Sequence, residues 1–228
     1  MTTLDVLRVF VGPDGGGGNP LGVFVDGTAI ASGARQQVAR DLGFSETVFV
    51  DSDGSPPGSA RVGIFTPGTQ LAFAGHPTVG TAWLLAERGR PVDRLIVPAG
   101  EVRTWREVDR TWVRARASWI HPMELVQHRD AAAVEALQPP PPGGVGTYAW
   151  AWEDEVQGRI RARYFANDIG IVEDEATGAA AVLIGDRLGR PLTIRQGVGS
   201  ELLVRPGPDG TIDIGGITEA VEQRPFDA

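Results

Sequence analysis

The sequence predicts an α+β fold of two pseudo-symmetric lobes, each a curved, mainly antiparallel, barrel-like β-sheet around a buried central helix. Three observations carry that expectation. The stretch LAFAGHPTVGTAWLL (71–85) has an echo in IVEDEATGAAAVLIGDRL (171–188). Setting Gly80-Thr81-Ala82 on Gly178-Ala179-Ala180 places His76 on Asp174 and Leu85 on Leu183. No charged residue occurs between Pro77 and Leu85 or between Ala176 and Gly185, and a helix that is apolar all round is a buried one. The remaining chain breaks into short β-rich runs separated by Gly, Pro and Asp. The expected division is 1–117 for the N-terminal lobe, with Glu46 and His76, and 118–228 for the C-terminal lobe, with Asp174. The last residues are expected to return to the first lobe.

Taken in order, residues 4–12 alternate as a first strand. Residues 14–20 (DGGGGNP) read as a flexible loop. Residues 21–25 form a short strand. Residues 31–42 have helical spacing, and Gly43 supplies the left-handed residue that ends such a helix. ETVFV (46–50) is a strand, and 60–66 with 69–73 a hairpin feeding the first central helix. Pro77 suits a first turn, where its missing N–H costs nothing. Gly80 and Gly178, each about 1 kcal/mol worse than Ala in a helix interior, suggest a close approach by another backbone or a ligand. Strands follow at 95–97, 101–108 and 111–117, with Asp109-Arg110 as the turn between the last two. A short helix is expected at 130–137. QPPPPGG (138–144) is a stiff loop, because Pro cannot donate to a helix or ladder. Strands at 147–152 and 159–165 lead to the second central helix. Strands at 192–195, 202–205 and 211–214 close the second sheet.

Composition narrows the chemistry. The chain has 228 residues and a net charge of −8, which argues against nucleic-acid and anionic-membrane partners. No apolar run reaches the length of a membrane span, and no signal peptide is expected before Leu4. There is no cysteine, which excludes thiol nucleophiles, thiolate metal sites and two-thiol racemases. There is no lysine either, so Schiff-base chemistry lacks its amine. Proton transfer falls to carboxylates, three His and two Tyr.

Three residues stand out. Glu46 sits at the mouth of a strand, either a catalytic carboxylate or an ordinary exposed strand end. His76 and the pair Glu173-Asp174 stand at the starts of the two central helices, as functional groups or as simple caps. Gly43-Phe44-Ser45-Glu46-Thr47 lacks the last Gly of a hydrolase nucleophile elbow and sits between a helix and a strand in the wrong order. His121 and His128 lack carboxylates at ligand spacing, so no zinc site is expected.

With these residues in view, the chain resembles the phenazine-biosynthesis isomerase-like (PhzF-like) family, which has the diaminopimelate-epimerase-like fold. The matching stretches are GNPLGVFVD (18–26), ARDLGFSETVFV (39–50), IFTPGTQLAFAGHPTVGTAWLL (64–85), RYFANDIGIVEDEATGAAA (163–181) and, more loosely, QGVGSELLVRP (196–206). The resemblance implies a cofactor-independent isomerase or epimerase, cytoplasmic and homodimeric, acting on a small carboxylate in a cleft between the lobes. It implies Glu46, His76 and Asp174 as catalytic residues, and Asn19, Gly75, Thr177, Gly178 and Ala179 as substrate-binding ones, with no metal. Three residues depart from the family pattern: Glu175 stands for the usual Pro, Ala179 for the usual Ser, and Asn167 for a common Pro. The lost serine hydroxyl leaves a catalytically inactive ligand-binding or regulatory protein of the same fold as the alternative.

Overall fold

The computed structural model describes residues 2–51, 55–141, 143–166 and 171–227. Asn167, singled out in the sequence, lies outside the described residues. The chain divides into two compact units. The first comprises Met1–Val9, Pro20–Val113 and Ile217–Ala228, and the second Phe10–Asn19 and Arg114–Gly216. The elements are β1 (Thr2–Val11), β2 (Gly17–Phe24), α1 (Arg35–Leu42), β3 (Glu46–Asp51), β4 (Ser59–Phe65), β5 (Gln70–Leu71), α2 (Gly75–Glu87), β6 (Arg94–Val97), β7 (Gly100–Glu107) and β8 (Arg110–Ala115). They continue with β9 (Glu124–Gln127), α3 (Ala131–Glu135), β10 (Thr147–Asp154), β11 (Arg159–Ala166), β12 (Ile171–Asp174), α4 (Gly178–Leu188), β13 (Leu192–Gln196), β14 (Ser200–Pro206) and β15 (Ile212–Phe226).

The internal repeat is a repeat of connectivity. In the first copy β2 and β3 are parallel, β3 and β4 antiparallel, and β5 folds back on β4; α2 then crosses to β6, parallel to β4, and β7 and β8 follow antiparallel. The second copy runs β9, β10, β11, β12, α4, β13, β14 and β15 with the same sequence of orientations. Each central helix occurs where it does for a geometric reason. Joining parallel strands needs a crossover of a dozen or so residues, which a hairpin cannot supply. The expected α+β, barrel-like fold with a buried helix in each unit is what forms.

In the first unit the strand order β1-β2-β3-β4-β6-β7-β8-β15 closes by pairing of β15 with β1. Ten of the thirteen residues of α2 are buried, and only Trp83, Ala86 and Glu87 near its C-terminal end are reached by solvent. Leu4, Val6, Phe24, Ile30, Val38, Ala39, Phe49 and Phe65 form a core cluster beneath α1, joined by Phe226. The Gly80 backbone is closely approached, but by core side chains: a Cβ there would lie 2.7 Å from Leu21 Cδ2 and Val9 Cγ2. Gly43 ends α1 in the left-handed conformation (φ 70°), its N–H donating to Ala39 O.

In the second unit the order is β15-β14-β13-β11-β10-β9, with β12 on β11. Ala180, Ala181, Val182 and Ile184 of α4 are fully buried. Across β10 and β11, Ala149 faces Arg163 and Ala151 faces Arg161, so small residues make room beside two large cations. Arg163 donates to both carboxylate oxygens of Glu173 (2.6 and 2.7 Å) and to the carbonyls of Val134, Glu135 and Leu137, which closes the C-terminal end of the five-residue α3. Asp130 caps its other end, accepting from Ala133 N–H at 2.7 Å.

Several expectations need correction. The glycine loop is shorter than its composition suggests, because Gly17 to Pro20 belong to β2. The β7–β8 turn is Val108-Asp109, since Arg110 pairs with Glu107; Val108 takes the positive φ of 56° and is almost wholly exposed. β9 has no apolar alternation because it is a mostly exposed edge strand. β15 continues past Gly215 and Gly216, where a Cβ on Gly216 would meet the Phe10 ring at 2.6 Å. The register of the repeat also slips: Gly75 and Gly178 open the two helices, so Gly178 corresponds to Gly75 rather than Gly80, and Gly178 is not in a helix interior. Runs of small residues slide against one another without changing their pattern, which is why sequence matching chose the wrong register. Among the described residues no helix is long and apolar enough to cross a membrane.

Candidate active site

In the first unit, β3 opens on Glu46, paired in register with Leu21 of β2. The carboxyl is mostly enclosed, with 13% of the side chain exposed. His76 is the second residue of α2 and 3% exposed. It does not cap the helix: Ala74 holds the N-cap position, and Thr78 Oγ1 turns back to the carbonyls of Ala74 and Gly75 at 3.0 and 2.8 Å. The imidazole instead approaches Glu46, with Nε2 3.3 Å from Oε2 in an alignment that falls short of a hydrogen bond. Gly75, at the first position of α2, is buried directly before it.

Burial sets the electrostatics of Glu46. A carboxylate shielded from water is disfavoured relative to its neutral acid. The Glu46 carboxyl is accordingly pushed up from 4.5 to about 7, against an opposing pull from the Ser45 side-chain hydrogen bond. A carboxyl of that kind is divided between its two protonation states near neutral pH and can either take or give a proton.

In the second unit, Asp174 ends β12, four residues before α4 begins at Gly178. Its Oδ1 accepts from Asn19 Nδ2 (2.8 Å) and its Oδ2 from Thr177 Oγ1 (2.6 Å). Asp174 is therefore not the helix cap. Thr177 occupies that position, without a side-chain bond to the first turn. Asn19, 2% exposed, also donates to Ala176 O at 2.9 Å. Gly178 and Ala179 are the first two residues of α4, the former buried and the latter half-buried.

The sequence reading did not select Gln196, yet it ties this group together. Fully buried at the end of β13, its Nε2 donates to Asp174 O and Thr177 Oγ1 (both 2.9 Å), and its Oε1 accepts from Thr177 N–H at 3.2 Å. In sequence, Glu175 is a departure from the family pattern and nothing more. Its carboxylate accepts from the Val198 N–H and from Ser200 Oγ. Gln196 opens the loosely matching QGVGSELLVRP stretch, but that match assigns it no role; only the neighbours of β13 make it central.

Arg161 supports this corner from below. It is 3% exposed, and its five N–H groups go to the two oxygens of Glu135 and to the carbonyls of Ala162, Arg195 and Gly197. A guanidinium has five such donors, so the last of these contacts fixes the residue after Gln196 with no donor left over. Among the described residues, no three His, Asp or Glu side chains converge as a metal-ligand group.

The profile of the family described as "Phenazine biosynthesis-like protein" (PhzC-PhzF) matches residues 12–131. Over 70 residues the chain is 49% identical to an uncharacterized isomerase of Mesorhizobium japonicum, a match covering 31% of this chain and only 23% of that protein. A longer match, 32% identical over 229 residues, is to the trans-2,3-dihydro-3-hydroxyanthranilate isomerase of Pseudomonas aeruginosa; it covers 82% of this chain and 80% of that one. The fold superposes on a Bacillus anthracis phenazine biosynthesis protein of the PhzF family with a TM-score of 0.77 over 98% of both chains, at 19% identity, a likeness of fold alone.

Proposed function

Because the chain belongs to the phenazine biosynthesis-like (PhzC-PhzF) family, several of whose relatives are named as isomerases, we propose that it is a cofactor-independent isomerase or epimerase that moves a proton on a small carboxylate. The single observation that carries the reading is Glu46, a largely buried carboxyl with its proton affinity raised to about pH 7, placed 3.3 Å from a buried imidazole. In the ionised form Glu46 accepts a proton from a carbon of the substrate, and the electron pair left behind delocalises into the adjoining unsaturated or carboxyl group. In the protonated form it returns the proton, to another carbon in an isomerisation or to the same carbon in an epimerisation.

His76 has the complementary part. An imidazole within reach of the carboxyl can hold or pass a proton as Glu46 changes state. Asp174 is the second carboxylate of the proposal, kept in one orientation by Asn19 and Thr177. The backbone N–H groups at the starts of α2 and α4, which include Gly75, Gly178 and Ala179, favour an anionic group such as a substrate carboxylate.

The test is solvent-proton exchange. The full chain is incubated in D₂O with small unsaturated carboxylates, beginning with the trans-2,3-dihydro-3-hydroxyanthranilate that names the Pseudomonas aeruginosa relative, and products are read by NMR. Wild type is expected to place deuterium on the carbon that receives the proton. Glu46→Gln is expected to lower turnover by about 10²–10⁴, the usual worth of a positioned acid–base group. Equal turnover in the two proteins would remove Glu46 from the mechanism. Ligand binding without turnover in either would leave the binding-protein alternative.

A further inference from the structure

Asp174 and Asn19 are far apart in sequence and are clasped by a ring of contacts. Asn19 Nδ2 donates to Asp174 Oδ1 at 2.8 Å. The residue after Asp174 is Glu175, whose carboxylate accepts from Val198 N–H at 3.0 Å to each oxygen and from Ser200 Oγ–H at 2.8 Å. Ser200 Oγ in turn accepts from Gly18 N–H at 2.8 Å, and Gly18 precedes Asn19. The ring therefore passes from Asp174 to Glu175 through one peptide bond, by hydrogen bonds to Ser200 and Gly18, and through a second peptide bond to Asn19.

The backbone is shaped to close it. Gly197 has φ +58°, and a Cβ there would lie 2.1 Å from the Glu175 carboxylate; Gly17 has φ +63°, and a Cβ would lie 2.3 Å from Ser200 N. Glycine is the residue that tolerates both demands. The carboxylate bonds to Val198 and Ser200 are charge-assisted, the stronger class of hydrogen bond.

From this ring we infer that Glu175 is a positioning residue: it holds the Gly197–Ser200 turn and, through Ser200, sets Gly18 so that the Asn19 amide stays on Asp174. The inference rests on the reading of Asp174 as a working carboxylate. Glu175 itself touches no reacting atom and acts through Ser200 and Asn19. This gives the glutamate that follows Asp174 a specific task in this chain.

Hydrogen exchange by NMR on the full chain tests it, without any substrate. The signals are the backbone N–H of Gly18 and Val198 and the side-chain amide of Asn19, with the buried amides of α4 reporting that the fold is intact. Glu175→Ala is expected to speed exchange at all three positions by about tenfold, the scale of one lost hydrogen bond. Glu175→Gln keeps an acceptor oxygen and is expected to stay near wild type. Ser200→Ala is expected to release Gly18 and Asn19 while Val198 remains protected, a split that general loosening of the unit does not produce. It also carries the test should Glu175→Ala fail to fold. Wild-type exchange at the Asn19 amide in Ser200→Ala would overturn the inference, as would the same result in a folded Glu175→Ala protein. Loss of Asn19 protection in the variants, with wild type isomerising no carboxylate, would refute the proposed function and leave the positioning role standing.

Discussion

Replacing Glu46 by Gln tests the electrostatics of the first unit directly, through stability rather than turnover. The folded-state pKa of about 7 lies above the ordinary value of 4.5. Between those two values the folded protein keeps a proton that the unfolded chain releases, so stability falls as pH rises through that window and is level above it. Each pKa unit corresponds to 1.36 kcal/mol, so the difference between about 7 and 4.5 amounts to about 3 kcal/mol of stability absent above pH 7.5. Gln has no charge to desolvate and escapes the loss. The gain of Glu46→Gln over wild type is therefore expected to be smallest near pH 4.5 and to rise by about 3 kcal/mol by pH 7.5, or roughly 7 °C in Tm for a chain of 228 residues. Urea denaturation of both proteins at half-unit steps from pH 4.5 to 8.5 measures this. A stability difference that stays constant from pH 5 to 8 would show that Glu46 titrates as a solvated carboxyl, and the argument from burial would fail.

Ser45→Ala removes the hydrogen bond that opposes the shift of Glu46, and the Glu46 carboxyl pKa, followed by ¹³C NMR, is expected to rise further above 7. Gly80→Ala adds a Cβ 2.7 Å from Leu21 and Val9 in the core. The overpacking costs about 1–3 kcal/mol against a helix-propensity gain of about 1, so denaturation should show a net loss; a stabilised variant would mean that the core yields freely. Arg161→Met strips three backbone carbonyls and Glu135 of their donor. A loss of roughly 2–4 kcal/mol is expected from unmet buried acceptors, with faster amide exchange at the Gln196-Gly197 corner; unchanged exchange there would show that the corner stands without the guanidinium.

Much of the architecture is written in local pattern. Uncharged apolar runs identify the two central helices, because a helix without a polar face has nowhere to sit but inside a sheet. The strand runs of β3, β4, β10 and β11 follow from β-rich composition between Gly and Pro breaks. Glu46, His76, Asn19, Asp174 and Thr177 could be named from motifs, and the structure sets the first two beside each other and the last three in one hydrogen-bonded group. Other features could not be read this way. The register of the repeat failed because small residues give no unique match, and β9 failed because an exposed edge strand has no buried face to leave a pattern. Gln196, Ser200 and Glu175 became partners only when β13, β14 and the glycine segment of β2 came together. The amino-acid sequence alone determined which segments are buried and which chemistries are available, since burial follows from side-chain periodicity and reactivity from residue type. Tertiary structure alone decided which carboxyl is kept from water and which amide holds which acid, because desolvation and hydrogen bonding depend on neighbours brought from distant parts of the chain by strand order.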